Sequence, residues 1–348
     1  MKIVHFAPFA PNACGLYEAA RDMFAADTRA RHETYFVDVG VTRDGKHFPG
    51  KTGQTDRRGD VILTTSPPDV VYDADIVIAH TGVSDNWIVK CFAPVIWILH
   101  GRPLACFRPE QNGSRKSYTL AATVAQWPRV RKMVTFWNHH VPYWNPIVPD
   151  GKLVCLDAPP IDERRFAPEG PARDFGVFNG KYNIVIAESW REDVDIYEIT
   201  HGAIEAAKRI DGLKFHFYAM ETPLGCWNYL IDELRKLGAK GEIVGRTVKI
   251  NDVYRAADLI LSPQRIVTRS IGEAMSCGTP VIAARGCDHV PFTAIPDDPA
   301  DVADTIVRTI QAITEDPDSV AENVKTRASA FSLARYSEQM QPVYESVA

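Results

Sequence analysis

Several features that would decide the class of this chain at once are missing from it. No run of about 18 apolar residues occurs, so no membrane span is expected. The opening MKIVHFAPFAPNACG lacks the apolar core of a secretory signal and reads as a first buried strand. The seven cysteines, Cys14, Cys91, Cys106, Cys155, Cys226, Cys277 and Cys287, never form C-x-x-C. An odd, scattered set of this kind reads as reduced, mostly buried thiols in a cytoplasm, without a zinc site. The first strand is followed by APNACGLYEA and not by G-x-G-x-x-G, which speaks against a dinucleotide-dependent oxidoreductase. Internal repeats and low-complexity tracts are also lacking.

What is there is ordinary soluble composition: 348 residues, 45% hydrophobic and 24% charged. At about 150 residues per domain, that length favours two domains. The net charge of −5 is unevenly spread. Residues 1–150 carry 17 Lys and Arg against 14 Asp and Glu, and the remainder 22 against 30. Within 102–140 stand Arg102, Arg108, Arg115, Lys116, Arg129, Arg131 and Lys132 against Glu110 alone. The first half thus holds a positive tract that the whole-chain charge hides.

Short Val/Ile-rich runs alternate with helical patterns. Strands are predicted at 2–7, 75–79, 95–99, 133–137, 183–187, 215–219, 258–262 and 280–284, and helices at 16–27, 197–210, 224–238, 299–314 and 334–346. Apolar strands with helices between them imply parallel sheets covered on both faces. The Pro- and Gly-rich stretch 157–182 has no clean period and reads as an interdomain linker. The expected fold class is α/β, with two Rossmann-like doubly wound domains at 1–165 and 166–330 facing across a cleft, and a last helix at 331–348 packing back on the first domain.

In such sheets ligands bind beyond the carboxyl ends of strands, beside helix N-termini. The stretch SIGEAMSCGTPVIAARG, from Ser270 to Gly286, is placed for this. Its Ser270-x-x-Glu273 spacing fits a capping box, and Gly278 closes the helix before the next strand. That reading alone needs no ligand. The alternative is an anion site at the same helix start, where Arg265 and Arg269 flank the turn and Arg191 and Arg246 follow neighbouring strands; arginines so gathered suit a diphosphate.

The segment VYRAADLILSPQ…SIGEAMSCGTPVIAARG resembles the C-terminal signature of family 4 glycosyltransferases with the GT-B fold, an aspartate-led strand followed by E-x7-E and A-M-A-C-G-x-P-V-I-A. KIVHFAPFAPNACGLYEAARDMF, DADIVIAH, VIWILHG, LDAPPIDERRFAPEG and KGEIVGRTVKINDVYRAAD fall in the family's order, so the resemblance covers nearly the whole chain. It implies retaining transfer of a hexosyl or pentosyl group from a UDP- or GDP-linked sugar to a hydroxyl, with no metal and no further cofactor. The departing phosphate would itself accept the acceptor's proton. The first domain would bind the acceptor and the second the nucleotide sugar.

Carried onto this sequence, the second glutamate of E-x7-E, which meets the donor ribose, is Glu273. Gly15, Arg191, Gly245, Arg246, Thr268, Arg269, Ser270 and Ile271 complete the expected donor site. His100, Arg191 and Arg265 are the expected catalytic groups. Arg265 departs from the pattern, because the family has its first glutamate there and a guanidinium cannot accept hydrogen bonds from sugar hydroxyls. No lysine follows Arg191 in EDVDIYEIT, where the family pairs an arginine with a lysine. His100 and His80, each at a strand end, read either as groups facing ligand or as core histidines bonded to a carbonyl.

For the acceptor, the basic tract interleaved with Phe107, Tyr118, Trp127, Phe136 and Trp137 suits a polyanion whose bases stack. The expected contacts are His80, Arg102, Arg115, Lys116 and Trp137. DNA carrying a hydroxymethylated base is one such acceptor, and FAPNACGLYEAARDM looks like phage-encoded members, which would act in the host cytoplasm. The alternatives are a lipid, small-molecule or polysaccharide acceptor, a nucleotide-sugar 2-epimerase, and a catalytically silent DNA-binding protein on the same fold. Oligomeric state is left open by the sequence.

Overall fold

The computed structural model describes every residue except 8–14, 39–54, 65–68, 81–91, 101–120, 189–193, 195, 220–226, 246 and 248. The chain forms two compact units, Met1–Asp162 with Leu333–Ala348, and Glu163–Ser332.

The first unit is built on β1 (Lys2–Phe6), β2 (Glu33–Asp38), β3 (Thr55–Arg58), β4 (Val61–Thr64), β5 (Ile76–His80), β6 (Val95–Ile98), β7 (Val130–Thr135) and β8 (Leu153–Cys155), in the order β3-β4-β2-β1-β5-β6-β7-β8. All pairings are parallel except the β3–β4 hairpin. IVIAH and VIWI, the two inner strands, are buried at every position. That is why they read as unbroken apolar runs: in a sheet covered on both faces no residue of the alternation reaches water. The Gly15–Arg29 helix lies on one face with Tyr17, Ala20, Met23 and Ala26 inward at helical spacing.

The second unit uses β9 (Tyr182–Ala187), β10 (Leu213–Tyr218), β11 (Lys240–Ile243), β12 (Leu259–Leu261), β13 (Val281–Ala284) and β14 (Phe292–Ala294), all parallel, in the order β11-β10-β9-β12-β13-β14. This is the Rossmann order, running outward one way and then the other from the first strand. The Ile196–Ala207 helix meets the Pro299–Glu315 helix so closely that a Cβ on Gly202 would sit 2.4 Å from Val302 Cγ1. Asp298 caps the latter by accepting from the N–H groups of Ala300 and Asp301.

Two differences from the sequence reading are instructive, and the place of the last helix follows them. Residues 163–181 are not a linker but part of the second unit. Phe166 and Phe175 are 3% exposed, Phe175 stacks on His216 at 3.9 Å, and Arg255 donates to the carbonyls of Ala167 and Pro171. The Ser270-x-x-Glu273 capping box does not form. Thr268 is the N-cap, the helix begins at Arg269, and Glu273 reaches Arg269 instead of a backbone N–H. The Leu333–Glu345 helix belongs to the first unit, where it packs on the Gly15–Arg29 helix. Tyr344 Oη donates to both oxygens of buried Asp27 at 2.9 Å, and Arg335 pairs with Asp157 at 2.7 Å.

Among the described residues, Cys277 has its thiol pushed up to about 12 by burial, which makes it an inert core group. No helix among these residues is long and apolar enough to cross a membrane.

Candidate functional site: two strand-end clusters

In each sheet the strand order reverses at one place, between β1 and β5 and between β9 and β12. Loops leaving neighbouring strands part there, so the carboxyl ends open a crevice into which helix N-termini point. Each unit gathers its chemistry at that place.

In the second unit, β9 delivers Glu188, β12 delivers Ser262 and Gln264, and the Arg269–Ser276 helix begins beside them. A shallow recess is lined by Ala187, Glu188, Ser262, Pro263, Ser270 and Ile271. Buried Gln264 donates from Nε2 to Glu188 at 2.5 Å. Thr268 is extended at the N-cap, and its hydroxyl shares a hydrogen with that of Ser270 across 2.8 Å. Among the described residues no side chain caps the helix, and the positive end of its dipole faces the recess rim, where Ser270 and Ile271 stand. Arg269 Nε lies 2.7 Å from Glu273 Oε1, and its guanidinium sits 5.8 Å from the Phe166 ring centre. Glu273 is 9% exposed, so its carboxylate is held at the site by a charged partner and not by water.

The remaining donor residues expected from the sequence are dispersed. The Gly245 carbonyl accepts from the N–H of Ala219 beyond β10 and β11. Gly15 opens its helix, and a Cβ there would meet nothing within 4 Å, so no protein contact requires glycine at that position. Arg265 pairs with Asp297 at 3.2 Å, both about half exposed. Arg191 and Arg246 lie outside the described residues, as do Arg102, Arg115 and Lys116.

In the first unit the cluster is histidine. His5 on β1, His80 ending β5 and His100 just beyond β6 step diagonally across one sheet face, since His5 pairs in register with Ile78 and His80 with Ile98. His80 Nδ1 is 2.8 Å from His100 Nε2, and the rings of His5 and His80 stack at 5.9 Å. Burial holds the His100 imidazole down at about 4, and burial with two neighbouring imidazoles holds His80 lower than its ordinary range. Both rings are therefore neutral near neutral pH. His80 is 0% exposed, which corrects its expected role as an acceptor contact: its side chain reaches His100 and not the surface. Trp137 is corrected in the same way. Only 9% exposed, it packs against Phe136 and His140. Arg129, Arg131 and Lys132 stand at the amino end of β7, the edge opposite the histidines.

Residues 200–312 match the family model described as Glycosyl transferases group 1. No curated protein matches the chain. Solved structures match over its full length. Sucrose-phosphate synthase from Thermosynechococcus elongatus is 13% identical, with a TM-score of 0.69 and 99% of this chain and 98% of that one covered. Anabaena HepE in complex with UDP-glucose is 16% identical at TM-score 0.66, covering 99% and 100%. An alpha-glucosyltransferase in complex with UDP-glucose and DNA containing an abasic site is 13% identical at TM-score 0.67, covering 99% of each. The chain has the GT-B fold. The matched segment begins within the Ile196–Ala207 helix and ends in the Pro299–Glu315 helix, so it contains the Arg269–Ser276 helix, Glu273 and Arg265. Within this GT-B chain, Glu188 and Gln264 are the site residues that sequence reading missed. Their signal was position alone, two polar residues directly after β9 and β12.

Proposed function

We propose that the protein transfers a sugar from a nucleotide diphosphate to a hydroxyl acceptor with retention of configuration. The observation that carries this reading is the uncapped N-terminus of the Arg269–Ser276 helix at the strand reversal of a group 1 domain, with Glu273 buried one turn in. Cleaving a sugar–phosphate bond builds negative charge on the diphosphate and positive charge on the sugar. A helix start without a side-chain cap, flanked by Thr268 and Ser270 hydroxyls, stabilises the first, and such preorganised donors contribute several kcal/mol. Arg191, Arg246 and Arg265 add positive charge to the diphosphate. Glu273, paired with Arg269, accepts from ribose hydroxyls. His100, neutral at the strand end of the first unit, meets the transferred sugar. The leaving phosphate takes the acceptor's proton, so no carboxylate nucleophile is required.

The acceptor is assigned by class, a hydroxyl. Its finer form, a hydroxymethylated base in DNA, rests on the tract 102–116 and on the likeness to a glucosyltransferase held with DNA. Isothermal titration with UDP-glucose and GDP-mannose, then transfer to hydroxymethylcytosine DNA and to simple glycoside acceptors, tests both levels. Binding followed by transfer is expected. A chain that binds neither nucleotide sugar is not a glycosyltransferase, and one that glycosylates only non-DNA acceptors loses the finer form alone.

A further inference from the structure

The histidines of the first unit form a longer array than one sugar contact requires. Tyr344 Oη donates to Asp27, and Asp27 Oδ2 accepts at 2.9 Å from His5 Nε2, so His5 carries its proton on that nitrogen. His5 then stacks on His80, and His80 is bonded to His100. Five side chains from five elements, the Leu333–Glu345 helix, the Gly15–Arg29 helix, β1, β5 and the segment beyond β6, thus meet in one buried column.

One hydrogen lies between His80 Nδ1 and His100 Nε2, and its owner decides what His100 can do. Among the described residues, His80 Nε2 is buried with no hydrogen-bonding partner. If the shared hydrogen belonged to His100, neutral His80 would carry its own on Nε2, as a buried N–H with no acceptor. If it belongs to His80, Nε2 is only a bare lone pair. Buried N–H groups without acceptors are rarer than under-used acceptors, so the second arrangement is favoured. A metal shared by the pair is the competing reading of clustered histidines. Nitrogens 2.8 Å apart are closer than the roughly 3.3 Å between two ligands of a tetrahedral zinc, so the contact is a hydrogen bond.

We propose that His80 is a positioning residue whose Nδ1–H fixes His100 as the neutral Nδ1–H tautomer, so that His100 meets the donor sugar as a hydrogen-bond donor and cannot take the acceptor's proton. This rests on the glycosyl-transfer reading for its ligand but not for its tautomer. Burial of both rings, which keeps them uncharged, agrees with it.

The test uses the full chain. Histidine 15N spectra, assigned with the His80→Phe, His80→Asn and His100→Ala variants, read the tautomer directly: Nδ1 of His100 is expected to carry hydrogen and Nε2 to be bare. His80→Phe keeps ring bulk and removes the donor; His80→Asn keeps an N–H near the position of Nδ1. His80→Phe is expected to lose the His100 tautomer preference and to weaken UDP-glucose or GDP-mannose about tenfold, the loss of one hydrogen bond, while UDP or GDP alone binds as before. His80→Asn is expected to restore most of that affinity. Hydrogen on His100 Nε2 in the native protein overturns the proposal. So does a folded His80→Phe protein with unchanged nucleotide-sugar affinity. If the native chain binds no nucleotide sugar, the glycosyl-transfer reading and the sugar role fall together, whereas a reversed tautomer with intact binding removes this proposal alone.

Discussion

The two sheets reverse strand order at equivalent places and put opposite chemistry there. At the β9–β12 reversal the groups are hydroxyls, a helix start, and an arginine–glutamate pair, all suited to an anion and to ribose. At the β1–β5 reversal they are stacked and hydrogen-bonded imidazoles backed by the buried carboxylate of Asp27. The backbone order is shared; what differs is which residue types follow each strand. One topology supplies two crevices, and side chains alone make one of them electrostatic and the other a matter of hydrogen-bond direction.

The sharpest way to break this contrast is Glu273→Gln. Losing the carboxylate removes charge-assisted bonds to ribose worth about 1.5–3 kcal/mol, so nucleotide affinity is expected to fall tenfold to a hundredfold in titration calorimetry. A variant that melts early yet binds normally per folded molecule would make Glu273 purely a partner for Arg269.

Acid should next expose the neutral cluster. The ordinary imidazole value is 6.5, and His100 is held to about 4 with His80 also lowered. As pH falls below 6.5 the unfolded chain gains these protons first, so stability is complete above that value and is lost on the way down to about 4. Denaturant midpoints across that range should slope downward, and His80→Phe should flatten the slope. An equal slope in that variant would place the acid sensitivity elsewhere.

Tyr344→Phe leaves Asp27 with His5 but without the hydroxyl donor, which should cost about 1 kcal/mol in chemical denaturation while nucleotide affinity is unchanged. The smallest expected stability effect is at Arg265. Its exposed pair with Asp297 contributes about 0–1 kcal/mol, so Arg265→Ala should melt almost normally. A selective loss of turnover in that variant would tie its guanidinium to the diphosphate.

Much of the fold was legible because buried parallel strands are apolar at every residue. IVIAH, VIWI and NIVIA announce themselves. ETYFVD does not, because it mixes polar with apolar residues although it lies inside the sheet, and the edge strands LVC and FTA do not, because three residues leave no run to count. The helix at 269–276 was located correctly but started two residues early, since Thr268 and Ser270 are both competent capping residues and only the extended backbone at Thr268 decides between them. His100 was found by its strand-end position. Its bond to His80 was not, because that contact depends on parallel register between β5 and β6, which one sequence does not state. Phe136 and Trp137 looked like stacking platforms among basic residues and are core instead, since aromatic spacing alone cannot separate a strand end from a binding surface.

The return of Leu333–Glu345 to the first unit has a consequence for how the molecule is made. Ribosomes release residues 163–332 before the segment that Asp27 needs. The first unit is therefore completed only after residues 163–332 have emerged, and until Tyr344 follows, Asp27 has His5 as its side-chain partner among the described residues. The buried column that runs from Tyr344 through Asp27 to His5 is completed only after residues 163–332 have emerged.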